Sequence, residues 1–198
     1  MTVVLKELNK YRIILASASP RRQQLLSQLG LHFDVVLKKT NEAYSQDLQR
    51  EEIALFLAEK KSYSFRDEDL KDDHLLITAD TIVWQKGKVL DKPSGKEDAY
   101  SILRQLSGNY HEVITAVCLR TNQKKKTFFA CTKVYFKELN DDEIHYYIDN
   151  FQPYDKAGGY GIQEWIGYIG VEKIEGSFFN VMGLPIFKLY QELEEFLK

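Results

Sequence analysis

The residues best able to do chemistry in this chain are charged or hydroxylated groups set among small or apolar neighbours. Ala16–Arg22 reads ASASPRR and follows directly on the apolar run Ile13, Ile14, Leu15. Pro20 suits a first helical turn, because it lacks an N–H that a helix start leaves unpaired. Leu25, Leu26 and Leu29 then recur at helical spacing, and Gly30 suits a left-handed stop. The stretch therefore reads as strand, turn and helix, with Arg21 and Arg22 in the first helical turn. Two arginines there oppose the partial positive charge of a helix N-terminus. A bound anion removes the conflict, since free N–H groups, the Ser17 and Ser19 hydroxyls and two guanidinium forks all point one way. The alternative is a solvated surface pair.

Asp80 interrupts the apolar, β-branched run LLITADTIVW (Leu75–Trp84). A carboxylate buried and unpaired in such a strand costs several kcal/mol. It therefore either caps a turn, pairs with a lysine, or works as a metal ligand or general base, since a carboxylate near Mg²⁺ holds the ion and orients a water. Lys92 lies in LDKP, where Pro93 fixes the backbone just after a strand; a plain surface lysine is the alternative. On the helical stretch Gln49–Phe65, residues Ile53, Phe56, Leu57 and Ala58 mark an apolar side. Lys60 or Lys61 can snorkel from its end, and periodicity favours Lys60. Glu42 stands in the loop before this helix. Tyr154–Gln163 reads YDKAGGYGIQ: glycines that admit positive φ and close backbone approach, then an amide with both a donor and an acceptor. Such an amide suits a nucleobase edge; a tight turn with an exposed Gln163 is the alternative.

The elements that must position these groups alternate. Strands are expected at Ile13–Leu15, His32–Leu37, Leu75–Trp84, Val89–Leu90, His111–Leu119 and Phe128–Phe136. Helices are expected at Pro20–Leu29, Gln49–Phe65, from Ser94 to Leu106 with a Ser94/Glu97 capping box, from Asn140 to Tyr147, and from Pro185 towards Leu197. Lys86-Gly87-Lys88 reads as a tight turn and Phe151–Gly161 as a loop. This pattern predicts an α/β fold with crossover units and, given the long hairpin at His111–Phe136, a mixed sheet. Ligands of such sheets bind beyond the carboxyl ends of strands, where ASASPRR and Asp80 are both expected.

Composition sets the outer limits. A chain of 198 residues suits one domain, with room for two lobes. With 27 basic against 29 acidic residues, no global field favours nucleic acid or an anionic membrane. The basic run Lys124–Lys126 reads as a solvated hairpin tip. No bilayer-length apolar run and no signal-peptide pattern is present, and two cysteines fit a reduced, cytoplasmic protein. A hairpin turn centred between Lys124 and Lys125 places Cys118 and Cys131 opposite each other as two thiols.

Taken together, ASASPRR, Glu42, LAEKK, ADT (Ala79–Thr81), LDKP, YDKAGGYGIQ and EGSFFNVMGLP (Glu175–Pro185) resemble the Maf family of nucleoside triphosphate pyrophosphatases, in order and approximate spacing. The AGGYGIQ variant is similar to the subgroup acting on dTTP and UTP. The resemblance implies a single Maf-like domain over residues 1–198: an elongated, two-lobed α/β structure (Maf/ITPase-like) with a mixed sheet flanked by helices and a central cleft. It also implies dependence on a divalent metal (Mg²⁺ or Mn²⁺), and often a homodimer. Carried onto this chain, it assigns Ser17, Arg21, Arg22, Lys61 and Lys92 to the triphosphate, with Lys61 in place of the Lys60 that periodicity favours. Glu42 and Asp80 become metal ligands, with Asp80 also the proton acceptor, and Arg21, Thr81 and Gln163 bear on substrate choice. The chain departs from the family at Ala79, Asp91 and Glu164, where glycine is common; Asp91 tempers the charge of Lys92, and Glu164 alters the loop after Gln163. His111 also matches a family position and is given a structural role.

The implied reaction is attack of an Asp80-activated water on the α-phosphorus, releasing pyrophosphate and leaving a monophosphate. Gln163 would accept from N3–H and donate to O4 of uracil or thymine, a pattern that cytosine reverses. Two other classes compete: a nucleotide-binding regulator of septum formation without turnover, and a nucleic-acid-binding module, which the near-neutral charge opposes.

Overall fold

The computed structural model describes residues 3–198. In chain order the elements are α1 (Val3–Leu8), β1 (Arg12–Leu15), α2 (Pro20–Gln28), β2 (Phe33–Val35), α3 (Glu51–Tyr63), β3 (His74–Gln85), β4 (Lys88–Leu90) and α4 (Lys96–Leu106). There follow β5 (Tyr110–Arg120), β6 (Lys125–Phe136), α5 (Asp141–Phe151), α6 (Trp165–Gly170), β7 (Val171–Glu175), α7 (Phe178–Val181) and α8 (Ile186–Phe196). The sheet is mixed, as expected, with strand order β2-β1-β3-β5-β6-β7 and β4 paired to β3. The four unforeseen elements, α1, α6, β7 and α7, span at most six residues, too few for a hydrophobic period to stand out. Among the described residues no helix is long and apolar enough to cross a membrane.

The chain forms two compact units. The first comprises residues up to Asp80, Thr115–Ala130 and Gly183–Lys198. Here β1 runs parallel to both β2 and β3, with Leu15 aligned to Val35 and Ile77. Ile14, Leu76, Phe65 and Leu70 close a small core around this pairing. Two buried side chains hold carbonyls of helix α3 and its end. The buried Thr78 hydroxyl donates to the Ala58 carbonyl at 2.6 Å. Arg120, also buried, donates to the carbonyls of Ser62 (2.6 Å) and Phe65 (2.8 Å) at the helix end and ion-pairs with Asp67. A cation there complements the negative end of the helix.

The β5–β6 turn differs from expectation in two ways. Thr121 N–H donates to the Lys124 carbonyl at 2.9 Å, and the Thr121 hydroxyl accepts from the N–H groups of Gln123 and Lys124. The turn is thus centred on Asn122 and Gln123, earlier than the KKK run suggests. That register sets Thr127, not Cys131, across from the buried Cys118. Both cysteines are free thiols. Nor are the lysines merely solvated. Lys124 donates to the Phe196 carbonyl at the end of α8, Lys125 pairs with Glu59 of α3, and Lys126 pairs with Glu192 (2.5 Å) and Glu195 (2.7 Å) of α8.

The second unit comprises Thr81–Ile114 and Cys131–Met182. The β3–β4 hairpin turns at Lys86 and Gly87, both at positive φ, with Gln85 opposite Lys88. The expected Ser94/Glu97 box does not form. Helix α4 starts one residue later, behind Gly95, and the Ser94 N–H and hydroxyl both donate to Asp98, at 2.8 and 3.0 Å. Asn140 and Glu143 do form a capping box. That helix runs past Tyr147 to Phe151, because Ile144, Tyr147 and Ile148 all reach the core. His111 is buried, with Nε2 2.7 Å from the Tyr160 hydroxyl, and burial depresses its pKa to about 3. A neutral imidazole locked to a buried phenol is scaffold, in keeping with the structural role expected of it.

Candidate active site

In the first unit, the turn between β1 and α2 is built as its residue types require. Ser19 caps α2 by accepting from Arg22 N–H at 3.4 Å, Pro20 takes the first helical position, and Gly30 ends the helix at φ +83°. The buried Ser17 hydroxyl accepts from Ser19 N–H at 3.3 Å and from Arg22 Nη1 at 3.4 Å. Arg22 reaches further. Its Nη1 donates to the Ala79 carbonyl at 2.9 Å and its Nε to the Gly183 carbonyl at 2.8 Å. This fastens the turn to the residue next to Asp80. Burial pulls the Arg22 pKa below its ordinary value; Asp80 and Glu42 oppose that shift, and neighbouring Arg21 adds to it.

Asp80 stands inside β3 rather than at its carboxyl end. The position is still open to chemistry, because β1 stops at Leu15, opposite Ile77, and Asp80 lies on the length of β3 beyond it. The residue is buried and ion-paired to Lys61. Lys61 Nζ also lies 2.8 Å from Glu42, so two carboxylates converge on one ammonium. Glu42 is the solvent-facing member, its side chain 55% exposed against 11% for Asp80. Periodicity points to the wrong lysine here. Phe56 is apolar but half-exposed, and it lies one helical step below Lys60, whose Nζ sits 5.3 Å above its ring. The buried face runs through Ile53 and Leu57, and Lys61 continues it at the same four-residue step. Lys60 instead donates to the Ala43 carbonyl at 2.6 Å, so both lysines hold the loop that carries Glu42.

Three further candidates belong to the second unit. Thr81 follows Asp80 on β3 and is half-buried. Lys92 is exposed in the segment after β4, beside Asp91, whose carboxyl is pushed up by burial and by Asp98, against the pull of Lys92. The glycine-rich loop packs on that segment. Gly158 N–H donates to the Asp91 carbonyl at 3.1 Å, and a Cβ on Gly159 would stand 3.1 Å from Pro93. A Cβ on Gly158 would meet Val83 at 2.9 Å, and both glycines adopt positive φ, so this backbone approach needs glycine twice over. Gln163 ends the loop with its Oε1 buried and without a hydrogen-bond partner among the described residues. Thr78, inside the apolar run of β3, and Arg120, at the end of β5, hold α3 without any motif that marks them.

The donor chemistry around Lys61 fits a hard divalent cation. Among the described residues no three His, Cys, Asp or Glu side chains cluster as a metal cage. Asp80 and Glu42 nevertheless face one cationic centre, and Mg²⁺ is commonly held by one or two carboxylates plus substrate phosphates.

The Maf-like protein family matches residues 12–196. This chain belongs to the Maf family. Its relatives include a dTTP/UTP pyrophosphatase of Bacteroides fragilis, 53% identical over 97% of this chain and 100% of the relative. Another, of Parabacteroides distasonis and with the same name, is 53% identical over 98% of this chain and 100% of its own length. Among solved structures, the nucleoside-triphosphatase / dITP/XTP pyrophosphatase of Mycobacterium abscessus is similar at 16% identity and a TM-score of 0.39, covering 65% of this chain and 75% of that one. Within this Maf chain, Ser17, Arg22, Glu42, Lys61 and Asp80 fall in the first unit, and Thr81, Lys92 and Gln163 in the second.

Proposed function

We propose that this Maf chain hydrolyses dTTP and UTP between the α- and β-phosphates, yielding the monophosphate and pyrophosphate. The observation that carries the reading is the Lys61 ammonium held between Asp80 and Glu42, beside a helix-start turn that Arg22 ties to Ala79. A triphosphate is a dense anion, and its cleavage is mainly positioning and charge stabilisation. Arg21 and the amides of the Ser17–Arg22 turn would meet the phosphates. The Nε and Nη1 of Arg22 are committed to carbonyls and to Ser17, so it contributes its field and the turn's geometry. Lys61 would neutralise charge developing on the leaving pyrophosphate while keeping Asp80 aligned. Asp80 would orient the attacking water and accept its proton. A divalent cation held by Asp80 and Glu42 would supply Lewis-acid activation and further neutralisation. By the family resemblance, Lys92 adds charge towards the phosphates, and Thr81 and Gln163 read the substrate. The buried, partnerless Oε1 of Gln163 supports a ligand N–H donor such as N3–H of uracil or thymine.

The test is a panel of nucleoside triphosphates with Mg²⁺ and Mn²⁺, the products being separated by chromatography. UTP and dTTP are expected to be cleaved ahead of CTP, ATP and GTP, giving monophosphate and pyrophosphate. Diphosphate and orthophosphate as products would contradict the proposal.

A further inference from the structure

Gln163 makes no hydrogen bond of its own through Oε1, so something else must aim it. The residues flanking it are unusually constrained. Gly161 N–H donates to the Tyr147 hydroxyl at 2.9 Å, and that hydroxyl donates in turn to Glu164 Oε2. The other oxygen, Glu164 Oε1, lies 3.1 Å from Nζ of the buried Lys156, at the opening of the same loop. Glu164 N–H donates to the Gly161 carbonyl at 2.9 Å, so the backbone closes on itself around Ile162 and Gln163. Glu164 packs so near Gly161 that a Cβ there would stand 2.7 Å from its carboxyl carbon. Tyr147 is fully buried on α5, and burial together with the Glu164 carboxylate holds its phenol pKa above the ordinary value, so it stays a donor.

We infer that Lys156, Glu164 and Tyr147 form a clamp that positions Gln163, which makes Glu164 and Tyr147 determinants of base specificity acting through that amide. The inference rests on Gln163 reading the base. An amide that must match donor and acceptor at once loses discrimination when its backbone can rock, because cytosine is then refused less strictly. The departure of this chain at Glu164 thus installs a carboxylate where it can bridge the start of the loop to its end.

Tyr147→Phe removes one oxygen from the clamp, and Glu164→Gln keeps its shape without the charge that faces Lys156. Steady-state kinetics with UTP and CTP are compared for the parent, both variants, Gln163→Ala, and the Tyr147→Phe/Gln163→Ala and Glu164→Gln/Gln163→Ala double variants. Tyr147→Phe is expected to lower kcat/KM for UTP about tenfold, chiefly through KM, to narrow the UTP-to-CTP preference, and to add nothing once Gln163 is alanine. Glu164→Gln should move the same quantities in the same direction, and it carries the cycle if Tyr147→Phe does not fold. Penalties that multiply in the double variant, or equal losses on both nucleotides, overturn the clamp. A parent that does not prefer UTP over CTP would instead refute base reading by Gln163. The clamp is then still tested by the Gln163 side-chain ¹⁵N amide signals: sharp in the parent and displaced or broadened in the variants if it holds, unchanged if it does not.

Discussion

Asp80→Asn is expected to lower kcat for UTP by about 10²–10⁴-fold, the usual share of a positioned general base. The substitution keeps the size and shape of the side chain while removing the charge that faces Lys61 and the basicity that draws a proton from water. Binding should survive, because the phosphate-facing groups of the Ser17–Arg22 turn are untouched. The affinity for the non-hydrolysable analogue α,β-methylene-UTP, measured by titration calorimetry, should stay within about tenfold of the parent, since Asp80 is one of many contacts. A fall in turnover with affinity retained marks an enzyme. A variant that releases pyrophosphate at close to the parental rate would remove Asp80 from the chemistry.

Arg22→Met is expected to damage both stability and turnover. The guanidinium serves the carbonyls of Ala79 and Gly183 and the Ser17 hydroxyl together, and methionine leaves all three without that donor. Each carbonyl so stranded costs about 1–3 kcal/mol. The pair together lowers the melting temperature of a chain this size by roughly 5–15 °C. The turn also loses its tie to the residue beside Asp80, so kcat/KM falls in whatever fraction remains folded. Arg22→Lys keeps the charge but not the fork, and should recover only part of either loss. Calorimetry and UTP turnover read the two effects separately. A methionine variant that melts with the parent would show that these bonds are not what holds the turn.

What could be read from the sequence was mostly local. Pro20 announces the start of α2, Lys86-Gly87 a tight turn, and Asn140 the start of α5, because each depends on neighbours within a few positions. Family resemblance, not periodicity, singles out Lys61 over Lys60. The helical pattern alone was skewed by Phe56, an apolar side chain that is half-exposed. The hairpin register slipped for a comparable reason: Thr121 closes the turn with its own hydroxyl, a preference that three following lysines mask. Long-range ties left no such trace. Arg22 meets Gly183 at a separation of 161 residues, and Arg120 reaches the end of α3 from another strand. Glu164 shows as a departure from the family pattern, but its meeting with Lys156 and Tyr147 follows only once α5 and the loop are folded together.

The most direct measurement follows the oxygen. UTP is turned over by the parent enzyme in H₂¹⁸O, and the products are weighed by mass spectrometry. Attack of an Asp80-oriented water on the α-phosphorus puts one ¹⁸O into UMP and none into pyrophosphate. Label in pyrophosphate, or UDP with labelled orthophosphate, would place the attack on another phosphorus and contradict the proposed chemistry.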